Sequence, residues 1–194
     1  VNETTRHLGP QAKDEKKRFA GNNLSCSSCH ANGGVVPNQS PFVGIYARFP
    51  QYNSRADQLI TLQDRINGCF QRSMSGKPIP ANSKEMRAIM TYMQWLSTGY
   101  EVGAKVKGQG IPKAEFINRA GDPKNGKKIY ADKCASCHGE NGEGVLNPEF
   151  ASGGDYYLFP AIWGKDSYNT GAGMYRLIKA AQFVKTTMPK GDAT

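Results

Sequence analysis

Apolar residues recur at helical spacing in several stretches of this chain and predict a mainly α-helical protein. Ser54 can cap one helix, and Gly68 can end it. Between them, three apolar residues recur at intervals of three or four positions, as on one helix face: Leu59, Leu62 and Ile66. Cys69 follows directly, so the pattern predicts that this cysteine lies on the loop that leaves the helix.

The clearest helix lies between Asn82 and Gly99. Asn82 with Glu85 three residues later resembles a capping box, and Gly99 can end the helix. One face carries a stripe of apolar side chains: Met86, Ile89, Met90, Met93 and Leu96. Methionine at this spacing is more typical of core packing than of metal ligation. We therefore expect this helix to close the first half of the chain.

A glycine- and lysine-rich stretch divides the chain into two parts. Residues 101–121 predict a linker, because their composition favours neither a helix face nor a strand. The first predicted domain then covers residues 1–100, and the second covers residues 122–194. At 194 residues the chain is long enough for two small domains.

The second domain has helix signals at its start and near its end. Asp122 is a suitable N-cap, and Pro123 stands at the first helical position. A further helix is predicted from Thr170 to Val184. No helical pattern follows Met188, so the helix that would close this domain is expected to be missing because the chain is truncated.

Two motifs of the form Cys-x-x-Cys-His contain four of the five cysteines. Each is typical of a c-type haem attachment site, because two thiols three positions apart can reach both vinyl groups of one porphyrin while the histidine coordinates the iron. A four-thiolate zinc site would need its second cysteine pair about 15–20 residues after the first, and a thioredoxin-like dithiol would need a βαβ context. We therefore predict two covalently bound haem c groups. The residues concerned are Cys26, Cys29 and His30 in the first half, and Cys134, Cys137 and His138 in the second.

Haem binding also explains the modest apolar content, since 38% of the residues are hydrophobic. A porphyrin supplies apolar surface against which short helices pack. The predicted fold is mainly α, with two class I cytochrome c-like domains, each around one covalent haem. Such haem attachment takes place outside the cytoplasm, which predicts a periplasmic protein. No stretch of about 18–20 apolar residues is present, and the start at Val1 suggests that an export signal has been removed.

The net charge of +9 indicates a negatively charged partner or substrate. In a periplasmic haem protein, a small anion or an acidic redox protein fits this charge better than nucleic acid does. A generally solvated basic surface is the simpler alternative.

Each haem iron needs a second axial ligand besides its histidine. For the second haem the leading candidate is Met188, with Lys185 and Lys190 as alternatives. For the first haem, Cys69 competes with Met74. A thioether would raise the reduction potential, whereas a thiolate would lower it.

Charge near Cys69 favours the thiolate. Arg55, Arg65 and Arg72 are close in sequence and would stabilise an ionised sulfur if they were also close in space. A buried, unreactive thiol is the alternative for Cys69.

The segment Arg65–Lys77, RINGCFQRSMSGK, followed by Glu85-Met86 and the YMQWL of Tyr92–Leu96, resembles the dihaem thiosulfate dehydrogenases of sulfur-metabolising bacteria. The resemblance runs from before Cys26 to Met188 and implies a periplasmic enzyme that joins two thiosulfates into tetrathionate. It implies that some members work better in reverse, and that electrons leave through the second haem to a small periplasmic redox protein, a cytochrome c or a high-potential iron–sulfur protein.

The same resemblance implies site residues. Cys69 would ligate the first haem, and Arg55 and Ser73 would bind the anionic substrate, with Arg72 as a weaker candidate. Met188, with Lys185 as alternative, would ligate the second. Two rival functions remain open: an electron-transfer cytochrome without its own substrate, and a sulfur-oxidation cytochrome that conjugates thiosulfate to a carrier protein. Neither nucleic-acid binding nor membrane insertion is expected.

Overall fold

A computed structural model of the chain describes residues 1–115 and 118–190. Residues 116–117 of the predicted linker and residues 191–194 of the predicted second domain lie outside the described residues. The described chain is mainly helical, as predicted. Its α-helices are α1 (Thr4–Leu8), α2 (Ala31–Gly34), α3 (Leu62–Gly68), α4 (Lys84–Trp95), α5 (Pro123–Lys133), α6 (Ala135–His138) and α7 (Leu177–Thr187).

The remaining regular structure is short. Two antiparallel hairpins pair β1 (Gln51–Asn53) with β2 (Gln58–Ile60), and β3 (Val145–Leu146) with β4 (Tyr157–Phe159). Single helical turns complete the described structure: 3₁₀ turns at Glu15–Lys17, Cys26–Ser28, Tyr46–Arg48, Phe150–Ser152 and Gly173–Tyr175, and a π turn at Cys69–Ser73. Within the described residues, none of the helices combines the length and apolar character needed to cross a membrane.

The predicted helix from Ser54 begins later than its apolar pattern indicates. Residues 51–60 form the β1–β2 hairpin instead. Asp57 lies in the turn of this hairpin with a φ of 51°, a left-handed conformation that no α-helix contains. Helix α3 starts after Thr61, whose Oγ1 accepts a hydrogen bond from the Asp64 N–H while the Asp64 carboxylate accepts one from the Thr61 N–H. This reciprocal cap sets the start of the helix.

Ser83 caps helix α4, one residue after the predicted cap Asn82. The Ser83 hydroxyl accepts a hydrogen bond from the Met86 N–H at 3.1 Å. The methionine stripe faces the core, as predicted, with Met86 and Met93 only 0% and 6% exposed. The core of the first half consists of Phe19, Ala20, Phe42, Leu62, Ile66, Phe70, Met74, Ile79, Met86 and Met93.

Cys69 lies in a helical turn rather than on the predicted loop. Gly68 keeps helical angles, with φ −60° and ψ −30°, and so does not end the helix there. The chain continues as the π turn Cys69–Ser73, in which the Met74 N–H donates to the Cys69 carbonyl at 3.0 Å. Such wide turns are frequent at functional sites. This π turn presents three of the predicted site residues within five positions.

The second half contains the predicted α5. The Asp122 carboxylate accepts hydrogen bonds from the N–H groups of Lys124 and Asn125 at 3.0 and 3.1 Å, which confirms Asp122 as the N-cap. The helix predicted from Thr170 is a 3₁₀ turn followed by α7, because the backbone at Arg176 is extended.

Hydrogen bonds join the two halves around the π turn. Asn22 is fully buried and donates through Nδ2 to the carbonyl of Ser73 at 3.1 Å and to that of Ser167 at 2.9 Å. The backbone N–H of Asn169 donates to the carbonyl of Arg72 at 3.0 Å. The second half therefore helps to fix the segment that carries the predicted substrate residues.

Candidate functional site

The first Cys-x-x-Cys-His motif borders a largely apolar cavity in the first half. The motif residues Cys26, Cys29 and His30 line it. Its apolar walls are formed by Leu24, Phe42, Ile66, Phe70, Ile89 and Met93. His30 Nδ1 lies 2.6 Å from the carbonyl oxygen of Ser40. Because a carbonyl can only accept, Nδ1 carries the proton and Nε2 keeps its lone pair. Motif and cavity therefore fit a covalent haem with His30 Nε2 as an iron ligand.

The second motif repeats this arrangement. His138 Nδ1 lies 2.8 Å from the carbonyl oxygen of Pro160, so the same reasoning leaves Nε2 available for iron. Cys134 and Cys137 are free, half-buried thiols beside it. These residues fit a second covalent haem.

The sulfur of Cys69 lies against the first haem motif. Arg65 Nη1 donates to Cys69 Sγ at 3.0 Å, and the imidazole of His30 lies in the same cavity. Burial raises the pKa of Cys69, but the positive charge of Arg65, its hydrogen bond and the neighbouring His30 outweigh this and lower the pKa to about 7. Burial raises the pKa of Cys29, in the same cavity, to about 11. Cys69 is therefore the thiol in this cavity with thiolate character.

Met74, the competing ligand, also lines the cavity but is part of the core. It is 4% exposed and packs within the core cluster. Its carbonyl accepts hydrogen bonds from the N–H groups of Gly21 and Asn22 at 2.8 and 3.1 Å. Both side chains line the cavity, and Cys69, which Arg65 contacts directly, stays the predicted ligand.

A cationic cleft opens beside Cys69, between the two halves. Its charged lining consists of Arg55, Arg65, Arg72, Arg176 and Lys179. No Asp or Glu occurs among the described residues that line it. Ser73 and Asn53 add polar groups, and Met174 and Phe183 form apolar walls. Planar arginine donors in such a cleft favour small anions with several oxygen atoms.

All four predicted catalytic residues line this cleft: Cys69, Arg55, Ser73 and Arg72. Ser73 lies at the junction, because it lines both the apolar cavity and the cleft. Arg55 reaches the site from the turn of the β1–β2 hairpin rather than from the predicted helix.

Three cations have a larger part in the cleft than the sequence predicts. Arg65 is predicted only as a charge near Cys69, although a residue four positions earlier in a helix is a direct neighbour. Arg176 and Lys179 enter the cleft from the second half and are not predicted there. Nothing in the sequence signals their approach, because about a hundred residues separate them from Cys69.

The three candidate ligands of the second haem differ in their surroundings. Met188 is half-buried and directly follows α7. Lys185 is exposed, with Nζ 3.5 Å from a backbone carbonyl in the predicted linker. Lys190 Nζ donates at 3.1 and 3.3 Å to the carbonyls of Ser27 and Ser28, inside the first haem motif. Both lysines thus contact backbone carbonyls outside the second motif, and Met188 as the ligand of the second haem stays a prediction.

Two known protein families match the chain, one in each half. Residues 14–102 match the family described as SoxA/TsdA, cytochrome c domain. Residues 123–190 match the family described as cytochrome c.

Thiosulfate dehydrogenases are among the relatives that match most of the chain. The chain is 43% identical over 177 residues to a thiosulfate dehydrogenase of Allochromatium vinosum, covering 89% of this chain and 63% of that protein. It is 41% identical over 173 residues to the thiosulfate dehydrogenase of Stutzerimonas stutzeri, covering 89% of this chain and 54% of that protein. The chain thus spans less than two thirds of these relatives.

A solved structure has the same fold. The chain superposes on the thiosulfate dehydrogenase TsdBA from Marichromatium purpuratum in its as-isolated form with a TM-score of 0.86 and 31% identity. The superposition covers 98% of this chain and 41% of that chain.

Proposed function

Because this chain belongs to the thiosulfate dehydrogenase family of dihaem c-type cytochromes, we propose that the protein joins two thiosulfates into tetrathionate. The observation that carries this proposal is the position of Cys69. Its sulfur accepts a hydrogen bond from Arg65, lines the first haem cavity together with His30, and also borders the cationic cleft. A reactive sulfur and an anion-binding cleft thus share one site.

The residues of the two motifs would hold the haems. Cys26, Cys29 and His30 would hold the first, and Cys69 would also bind its iron. Cys134, Cys137 and His138 would hold the second, and Met188, or Lys185 as alternative, would also bind its iron. When bound, the two haems accept the two electrons that joining two thiosulfates releases.

Three side chains around Cys69 would prepare the reaction. Arg65 stabilises the thiolate through its 3.0 Å hydrogen bond. Arg55 and Ser73 would hold the sulfonate oxygens of thiosulfate, because a guanidinium offers paired donors and a hydroxyl offers a short one. Arg72, beside them in the cleft, adds positive charge.

The Cys69 sulfur can divide the coupling into two displacements. The thiolate and the outer sulfur of one thiosulfate lose two electrons in total and form a Cys–S–S–SO₃⁻ adduct. The outer sulfur of a second thiosulfate then attacks the outer sulfur of the first, which is now bonded to Cys69 Sγ. The bond to Cys69 breaks, tetrathionate leaves and the thiolate returns. Run backwards, the same steps reduce tetrathionate.

The haem chemistry supports a cellular location and a type of electron acceptor. Covalent haem attachment of this kind supports a periplasmic location. A small periplasmic redox protein, a cytochrome c or a high-potential iron–sulfur protein, would take up the electrons from the second haem.

The shape of the cleft argues against the two rival functions. A pure electron carrier has no need for a cationic cleft beside its cysteine. A cytochrome that modifies a carrier protein needs a broad docking face, whereas second-half residues such as Met174 and Phe183 wall this cleft. A small anion fits it better.

Steady-state assays of the holoprotein test the proposal. Thiosulfate with ferricyanide as oxidant should yield tetrathionate, and tetrathionate with a reduced viologen dye should yield thiosulfate. The variant Cys69→Gly, with both haems still attached, should do neither. Wild-type protein that turns over neither substrate would overturn the proposal.

A further inference from the structure

Two cations of the cleft come from the second half of the chain. Arg176 and Lys179 lie at the start of α7 and face the same cleft as Arg55 and Arg65 of the first half. Within residues 1–115 and 118–190, none of these side chains forms an ion pair with a carboxylate. The cleft thus gathers positive charge from both halves without internal compensation.

Arg72 lies between the cations of the first half and those of the second half. Its guanidinium packs over Gly68, because a Cβ built there would be 2.3 Å from Nη2. Its aliphatic stem packs on Gly171 of the second half, where a built Cβ would be 3.3 Å from Cγ. The hydrogen bond from the Asn169 N–H to the Arg72 carbonyl fixes its backbone. Two glycines and one interface hydrogen bond therefore hold Arg72 in place.

The positive charges in the cleft repel one another. Burial lowers the pKa of Arg72, and repulsion from Arg55, Arg65 and Arg176 lowers it further. Such repulsion is relieved when anions enter. One thiosulfate beside Cys69 would be held by the cations nearest the sulfur. The coupling brings a second dianion beside the first, and its repulsion has to be offset as well.

We propose that Arg72, Arg176 and Lys179 form a second anion subsite, which holds the sulfonate group of the second thiosulfate, or the far end of tetrathionate. This inference rests on the proposed function. It divides the cleft into a subsite near Cys69, with Arg55 and Ser73, and a subsite across the boundary between the halves. The site is then complete only when both halves are docked.

The test replaces the two second-half cations in the holoprotein. The double variant Arg176→Gln/Lys179→Gln removes two positive charges from the cleft. The matched control Lys127→Gln/Lys128→Gln removes the same charge from the exposed helix α5, outside the cleft. Initial rates are measured against thiosulfate concentration with ferricyanide as oxidant, and sulfate is added as a competing dianion.

The double variant should need about tenfold more thiosulfate for half-maximal rate, because charge-assisted hydrogen bonds to a sulfonate are lost. Its rate should also keep rising with the square of the thiosulfate concentration over a wider range, since the second molecule then binds weakly. The control should stay within about twofold of wild type, as expected for lost long-range steering alone.

The outcomes separate the two proposals. Wild-type turnover with equal half-saturating concentrations in the double variant and its control would remove the second subsite and leave the proposed function intact. Absence of turnover in wild type would remove both. If the double variant melts earlier or loses haem absorbance, the single variant Lys179→Gln, on an exposed side chain, is compared with Lys127→Gln in the same way.

Discussion

Replacing Gly68 by alanine should lower thiosulfate turnover while leaving the fold at least as stable. Gly68 has helical angles, so alanine suits the backbone and, by helix propensity, adds about 0.5–1 kcal/mol of stability. A Cβ at this position would lie 2.3 Å from Nη2 and 3.1 Å from Cζ of Arg72. Both atoms belong to the end of a flexible side chain. The guanidinium, and not the helix, has to move.

The size of that movement sets the expected effect. Ordinary van der Waals contact begins near 3.4 Å, so Nη2 must retreat from 2.3 Å by about 1.1 Å. Misplacing a substrate-binding group by about 1 Å lowers a rate by up to about a hundredfold. A lost hydrogen bond to a charged group removes about 1.5–3 kcal/mol, which corresponds to at least about tenfold. We therefore expect kcat/KM for thiosulfate to fall at least about tenfold.

Gly126→Ala is the matched control. Gly126 lies inside helix α5, and a Cβ there would meet nothing within 4 Å. Both variants gain the same helix propensity, but only Gly68→Ala displaces a guanidinium. Thermal unfolding and ferricyanide-coupled rates are measured for both. If Gly68→Ala keeps the kcat/KM of Gly126→Ala, the placement of Arg72 in the substrate site is wrong. An undiminished effect of Gly68→Ala in an Arg72→Gln background would also contradict it.

Four further changes test other parts of the protein. Cys69→Gly should abolish turnover while the pyridine haemochrome assay still gives two haems per chain, and normal turnover would refute the cysteine mechanism. Arg65→Gln should reduce turnover at least about tenfold and shift the absorbance spectrum of the first haem, because the charge-assisted hydrogen bond to sulfur is lost; an unchanged spectrum would show that Arg65 does not act on the ligand. Met188→Gly should lower the potential of the second haem in a redox titration, since thioether ligation raises it, and an unchanged potential would point to a lysine ligand. Asn22→Ala should destabilise the protein by about 1–3 kcal/mol, because the Ser73 carbonyl loses the Asn22 donor and the Ser167 carbonyl keeps only the Ser75 hydroxyl; an unchanged melting temperature would contradict this.

Local chemistry was the part of the site that the sequence could predict. The two haem motifs are short and contiguous, and the covalent chemistry of the porphyrin dictates their spacing. Asp122 as an N-cap and the buried methionine stripe of α4 also rest on neighbours within a few positions. Such interactions join residues that are only a few positions apart, so the local sequence is enough to predict them.

Competition between local sequence signals explains why the predicted start and end of the helix before Cys69 were wrong. The apolar spacing after Ser54 suited a helix, but a hairpin with a left-handed turn residue, Asp57, occupies its first part. Gly68 was expected to end the helix, although glycine does so only when it adopts a positive φ, and here it is helical. Neither choice can be read from one residue, because the packing of the whole segment determines it.

The division of the cationic cleft between two halves has an electrostatic explanation. Among the residues that the structure describes, the five cations of the cleft have no carboxylate partner and repel one another, so a single short segment would resist bringing them together. Packing between two separately built elements can hold such charges close, and the hydrogen bonds of the fully buried Asn22 to carbonyls of both halves are part of that packing. A bound anion would offset the repulsion and so favour the docked state. Anion binding and docking of the halves should therefore stabilise each other, because whatever binds only the docked arrangement shifts the equilibrium toward it.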